Sequence, residues 1–330
     1  MSFMFPSPSM KFEAAVRDVA QGKVKARALA AQALGDATDP TEKRRAVQAL
    51  LVALDDNEPE VRMEAASSLG ELRDPSAITL LVKRLDDGAP AVRQHAAIAL
   101  GSIGGGDACE PLAQALKSGP PDLRFQAATS IAEIDGARAF EPLVAALADK
   151  DPQVVAAAAL SLGAIEDKTA IDPLAKALDH KEAATRFDIA YALAELGDAR
   201  GREYLVAGLS QEDRAWDAVT AIAWLGGADD AEALGRAVAS RHTPTEAATL
   251  AAGKLLVIQP NGAHHDAARK FLVANLTSRK GHVRGLAIEQ LGAVAGSWAI
   301  APLEKLAKSY KGSDFIDAIG AALQSIKGRA

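Results

Sequence analysis

The sequence predicts an all-α protein, an α-solenoid built from about ten stacked helical hairpins. Three observations predict it. The first is a period of 31 residues: Val61-Arg62, Val92-Arg93, Leu123-Arg124, Val154-Val155 and Thr185-Arg186 each start 31 residues after the one before. The second is that both halves of the repeating unit carry apolar residues at helical spacing. In VRMEAASSLGEL, Val61, Ala65, Ala66, Leu69 and Leu72 fall on one helical face. The third is composition: 49% of the chain is hydrophobic but only 4% aromatic. Much of the apolar content is alanine, the best helix former, whose small side chain lets helices pack closely.

The elements follow in order. Residues 1–10 are expected to lie outside the array and to be disordered, and 11–20 read as a lone first helix. Between 24 and 226 the units are regular. Seven residues beyond each arginine position stands an apolar residue (Leu69, Leu100, Ile131, Leu162, Leu193), followed by a small one (Gly70, Gly101, Ala132, Gly163, Ala194). A second pattern runs in the same phase: ITLLVKRL (78–85), CEPLAQAL (109–116), FEPLVAAL (140–147), IDPLAKAL (171–178) and REYLVAGL (202–209). Proline is tolerated near a helix start, where the first N–H groups lack intrahelical partners. Aspartate-rich links such as DDNEP (55–59), DDGAP (86–90) and DKDP (149–152) join the two helices. From 227 to 282 the pattern is irregular, with longer links at 239–245 and 258–266. It returns at VRGLAIEQLG (283–292) and IAPLEKLA (300–307), and a closing helix is expected at 314–326. The array from 11 to 330 is read as one solenoid, because stacked units pack only on their neighbours.

VRMEAASSLG, VRQHAAIALG and VRGLAIEQLG, each with a short link and an A-x-x-P-L segment, resemble HEAT repeats, specifically the HEAT-like repeats of the phycobilisome-lyase type. The resemblance covers about 11–326. It implies a right-handed superhelix whose second helices, those with the V-R pair, line a concave surface. It is specific for fold and nearly silent on function, since such repeats serve many roles.

The formal net charge is −6, with acidic and basic residues interspersed. A duplex nucleic-acid binder needs a clustered positive footprint, so nucleic acid is not expected as a partner. The one cysteine, Cys109, excludes an intramolecular disulfide and multi-cysteine metal sites. The N-terminal MSFMFPSPSM has no positive region or long apolar run and does not read as a signal peptide. No stretch of about 18 apolar residues exists to span a bilayer. A cytoplasmic protein without membrane insertion is expected.

The arginines Arg62, Arg93, Arg124, Arg186 and Arg284 could suggest a phosphate ladder. The HEAT resemblance implies instead that each pairs with the acidic turn of its own or the next unit, with Asp55, Asp86, Asp149 and Asp179 as the acids. Of the six histidines, the adjacent His264 and His265 point in different directions, and no third ligand stands at helical spacing, so no metal is expected. Iron-binding hydroxylases resemble this fold but depend on His-Glu pairs, and no such dipeptide occurs. Cys109 takes the place of Ile78, Phe140 and Ile171 in other units and reads as a half-buried structural thiol. No cofactor and no catalytic residue is expected.

Aligned second helices show which columns break the pattern. Counting from the arginine position, columns +3, +4, +7 and +10 are apolar and form the core. Column +1 reads Met63, Gln94, Phe125, Ala156, Phe187, Trp216. Column +5 reads Ser67, Ile98, Thr129, Leu160, Tyr191, Thr220, and column +9 reads Glu71, Ser102, Glu133, Ala164, Glu195, Trp224. Phe125, Leu160, Phe187, Tyr191, Trp216 and Trp224 thus stand at nominally exposed positions, and five of the chain's fourteen aromatics are among them. Phe125 and Phe187 would flank a floor of Val155, Ala156 and Ala157 roughly 20 Å wide, given helix spacings of about 8–10 Å. Glu133, Asp188, Glu195 and Asp217 would rim it. Large apolar groups on a solvated face mark an interaction site, although tight curvature could bury the same rings against one another.

These readings point to a non-enzymatic scaffold whose concave face captures a helix or extended segment of another protein, one rich in apolar and basic residues. Two rivals follow from the resemblance: a bilin-lyase-like subunit holding a tetrapyrrole, and a HEAT-like DNA glycosylase, which would need a cationic concavity.

Overall fold

A computed structural model of the chain describes residues 8–310 and 315–329. Helix makes up 77% of it, in twenty helices, and the described residues contain no strand. The helices fall into two compact units, Met1–Ala177 and Leu178–Ala330.

In the first unit, helices pair in chain order: α1 (Pro8–Gln21) with α2 (Val24–Gly35), α3 (Pro40–Ala53) with α4 (Pro59–Leu72), and α5 (Ile78–Arg84) with α6 (Pro90–Ile103). Next come α7 (Gly106–Ser118) with α8 (Pro121–Ala132), α9 (Gly136–Ala146) with α10 (Pro152–Ala164), and α11 (Ile171–Ala177). The second unit holds α12 (Ala183–Glu195), α13 (Arg202–Gly208) with α14 (Ala215–Leu225), α15 (Ala228–Ala239) with α16 (Thr245–Ile258), α17 (His265–Asn275) with α18 (Gly281–Val294), and α19 (Ile300–Ser309) with α20 (Ile316–Arg329). Twenty helices are the number that about ten hairpins require; nine pairs lie within the units, and α11 and α12 flank the division between them. Helix α1 opens at Pro8, so three residues of the segment expected to be disordered are helical; residues 1–7 lie outside the described residues. Nor is α1 alone, since it pairs with α2.

Local chemistry sets the helix starts. Proline occupies the first helical position of α3, α4, α6, α8 and α10, where its fixed φ and missing N–H cost nothing. Asp39, Asp135 and Asp151 cap α3, α9 and α10 by accepting backbone N–H groups. Within the first unit, second helices pack on second helices. Leu69, Leu100, Ile131 and Leu162 are wholly buried between them. The small-residue column explains how close these helices come: a Cβ on Gly70 would lie 2.9 Å from the Cα of Ala99, and one on Gly101 3.0 Å from the Cβ of Ser130. Buried serines add bonds across the stack, Ser68 Oγ donating to Ala31 O and Ser161 Oγ to Ala128 O.

Arginines tie the first four hairpins each to the next, through aspartates one residue beyond two of those expected. Arg62 holds Asp87 with two bonds of 2.8 Å, and Arg27 holds Asp56 at 2.7 and 2.9 Å. Arg124 holds Asp149 at 2.8 Å, and Arg93 reaches Asp122 at 2.9 Å. Asp86 and Asp55 are exposed, and Asp55 pairs instead with Arg84. The physical reason lies in the turn. Asp56, Asp87 and Asp149 each accept the N–H two residues on (Glu58, Ala89, Asp151), which locks the link and turns the carboxylate inward. The other guanidinium arm grips the carbonyls of the arginine's own link, as Arg62 does at Asp56 O and Asn57 O. Asp179 is exposed, and the unit before it carries Val155 in place of arginine. Arg186 and Arg284 lean over the rings of Tyr204 and Tyr310 instead.

Among the described residues no helix is long and apolar enough to cross a membrane.

Candidate functional site: an aromatic second-helix face

In the first unit the nominally exposed columns do face solvent. Phe125 on α8 and Leu160 on α10 are each 40% exposed, and Glu133, which follows α8, is exposed. Ile98 on α6 joins them at 42%. It stood in column +5 all along, but its single aliphatic side chain gave no reason to separate it from an ordinary surface residue.

In the second unit the face is built on α12 and α14. Trp216 and Trp224 lie eight residues apart on α14, so about 12 Å along its axis at 1.5 Å per residue, and each is 46% exposed. Thr220, between them, donates its Oγ1 proton to Trp216 O at 3.0 Å. Tyr191 on α12 packs edge-on against Trp224, with ring centroids 5.2 Å apart and planes at 69°. The tyrosine is half-buried. Burial, with Asp217 and Glu195 adding their charge, pushes its hydroxyl pKa up. Asp217 and Glu195 are exposed; Asp188 is half-buried and accepts from Arg214 Nη1 at 2.7 Å. Burial raises the Asp188 carboxyl in spite of that guanidinium, and Asp217 pushes it further.

Phe187 does not belong to this exposed face. It is 5% exposed, within a core that includes Ala190, Leu205 and Ala218. Two features draw it in. Gly208 on α13 leaves the space its ring fills, since a Cβ there would lie 2.5 Å from Phe187 Cε2. The Arg214 guanidinium covers the ring at 4.7 Å from its centroid. Phe187 is therefore not an exposed flank as expected, and Val155 and Ala157, expected as floor, are themselves buried. The signal was in the sequence: other first helices carry Ala115, Ala146 or Ala177 where α13 carries Gly208.

The remaining candidates resolve into structure. Cys109 is buried, more fully than expected, and burial pushes its thiol pKa up, away from reactivity. His264 bonds Glu232 at 2.8 Å and His282 bonds Glu246 at 2.6 Å. Among the described residues no group of three or more His, Cys, Asp or Glu is placed to hold a metal.

Set beside known proteins, the chain matches the family model for HEAT repeats four times, at 19–101, 81–162, 109–193 and 140–224. Those matches together span more than half of it, and the chain belongs to the HEAT-repeat family. A search of curated protein sequences gives no significant match. Among solved structures, yeast importin-beta superposes with a TM-score of 0.68 at 12% identity, over 96% of this chain and 52% of that one. A chain of a homology model of the AP-3 complex superposes at 0.61 and 15% identity, over 93% of this chain and 58% of that one. The chain thus spans little more than half of either, and at these identities the likeness is one of fold. The CpcE–CpcF phycocyanin lyase complex from a Nostoc species aligns over 82% of this chain and 98% of its own at 22% identity, with a TM-score of only 0.38.

Proposed function

We propose that this HEAT-repeat chain is a non-enzymatic scaffold of the cytoplasm that binds another protein on the exposed face of its second helices. One observation carries the reading: Phe125, Trp216 and Trp224 are 40–46% exposed in columns that hold Met, Gln, Ala, Ser or Glu in other units. The fold does not require aromatics there, and solvated indoles lose stability that a partner's surface would restore. In the second unit Glu195 and Asp217 stand beside the rings. That favours a helix or extended segment carrying apolar and basic side chains, and it disfavours nucleic acid, whose phosphates these carboxylates would repel. In the first unit Phe125, Leu160 and Ile98 offer a mainly apolar counterpart beside Glu133.

Site-specific photo-crosslinking tests the reading. A benzoylphenylalanine in place of Trp224 or Phe125 is expected to form discrete adducts with one protein in cells. The same group at Lys83 or Lys305, exposed on first helices, is expected to form none. Equal labelling from both sets of positions would contradict the assignment of the face.

A further inference from the structure

The repeat supplies a template for what the α14 face recognises. On α12, an aromatic residue and an aspartate stand in sequence, Phe187-Asp188, and one arginine serves both. The Arg214 guanidinium lies over the Phe187 ring at 4.7 Å and donates to Asp188 Oδ1 at 2.7 Å. On α14 the same pair recurs at the same columns, as Trp216-Asp217. Here the chain has no arginine to offer. Arg214 immediately precedes α14, but the residue that immediately precedes α16 is Pro244. Among the described residues no guanidinium lies over Trp216 or Trp224, and neither an ion pair nor a side-chain hydrogen bond holds Asp217.

Six rings (Phe12, Phe187, Tyr204, Trp298, Tyr310 and Phe315) lie under an arginine at 4.3–5.4 Å. A guanidinium is thus a common cover for rings in this molecule, although among the described residues Phe125, Phe140, Tyr191 and Phe271 also lie under none. The uncovered indoles of α14 lie instead beside a carboxylate whose charge reaches both Tyr191 and Asp188.

We propose that Trp216 and Asp217 form a socket for an arginine side chain of the partner protein, the guanidinium stacking on the indole face while it donates to the Asp217 carboxylate. The proposal rests on the reading of this face as a protein-binding site and adds the chemistry of its anchor. Arginine is preferred over lysine, because a planar guanidinium stacks on a ring and donates sideways at the same time, and a compact ammonium does not.

The test uses the full chain with ¹⁵N-labelled tryptophan, titrated to millimolar concentration with acetylated tetra-arginine, tetra-lysine and tetra-citrulline amides at 150 mM salt. Trp298, already under Arg269 at 4.3 Å, serves as an internal control. Tetra-arginine is expected to shift the Trp216 indole N–H signal and leave that of Trp298 in place, with an affinity about threefold to tenfold above tetra-lysine, the factor that ~1 kcal/mol of stacking gives. Tetra-citrulline is expected to leave both unmoved. Asp217→Asn, an exposed change that the fold tolerates, is expected to lower tetra-arginine affinity at least about threefold. Equal binding of the arginine and lysine peptides, an unchanged affinity in Asp217→Asn, or no shift at Trp216 would each overturn the proposal. If crosslinks still form at position 224 in that case, the protein-binding reading stands and only its arginine anchor falls.

Discussion

At the scale of single residues, position in the repeat does not decide exposure; the neighbour's size does. Phe187 and Trp216 occupy the same column, yet one is 5% exposed and the other 46%, because Gly208 and Arg214 enclose the first. Phe187→Ala should therefore cost about 3–5 kcal/mol of folding stability, as large-to-small changes in a core do. Trp216→Ala should cost less than about 1 kcal/mol. Denaturant titration of both variants checks the pair. The same logic applies to charge. Asp87 is buried, and burial alone would raise its carboxyl. The Arg62 guanidinium, the Ala89 N–H and the nearby arginine charges outweigh that and hold it below the usual carboxylate range. A depressed acid contributes stability that is present above its unfolded-state pKa of about 4 and is lost as pH falls through the lower folded value. Asp87→Asn should cost about 3 kcal/mol near neutral pH by leaving Arg62 buried without its charge partner. It should also flatten the fall in melting temperature below pH 4, which melts from pH 7 to pH 2 would show.

At the scale of elements, the period and the number of helices could be read from the chain, because a 31-residue repeat imposes one packing solution on every unit. What could not be read were departures that depend on two elements at once. The inward aspartate at the turn (Asp56 and Asp87 rather than Asp55 and Asp86) depends on which carboxylate accepts the N–H two residues ahead. The burial of Phe187 depends on a glycine 21 residues away. The segment 239–268, which holds both long links of the irregular stretch 227–282, behaves in the same divided way. Its links are long, but α16 within it buries Leu250, Leu255 and Leu256 and all of its alanines. Hydrogen exchange is expected to be fast at 240–244 and 259–264, slow across the centre of α16, and slow in α6 and α8. Fast exchange throughout 239–268 would mean that α16 is held less firmly than its packing implies.

At the scale of the whole molecule, neighbour-only packing keeps perturbations local. Loosening α4 and the α5–α6 link with Asp87→Asn should leave amide protection in α18 and α20 unchanged. The same architecture allows side chains on successive second helices to be chosen for something other than stability, and the face of α12 and α14 carries two exposed tryptophans and a half-buried tyrosine. The candidate site was legible from its columns where exposure was the default, at Phe125, Leu160, Trp216 and Trp224, and illegible where a partner side chain from another helix intervened. The central claim, that these rings serve recognition and not packing, is tested most directly by the double change Trp216→Ala/Trp224→Ala, read for thermal stability and for capture of the crosslinked partner on one preparation. The account predicts a melting temperature within a few degrees of wild type, since about half of each indole is already in solvent and the Tyr191 edge contact contributes about 1 kcal/mol, and capture reduced at least about thirtyfold, as loss of hot-spot rings of ~2 kcal/mol or more entails. A double variant that melts far below wild type yet still captures its partner when folded would contradict it.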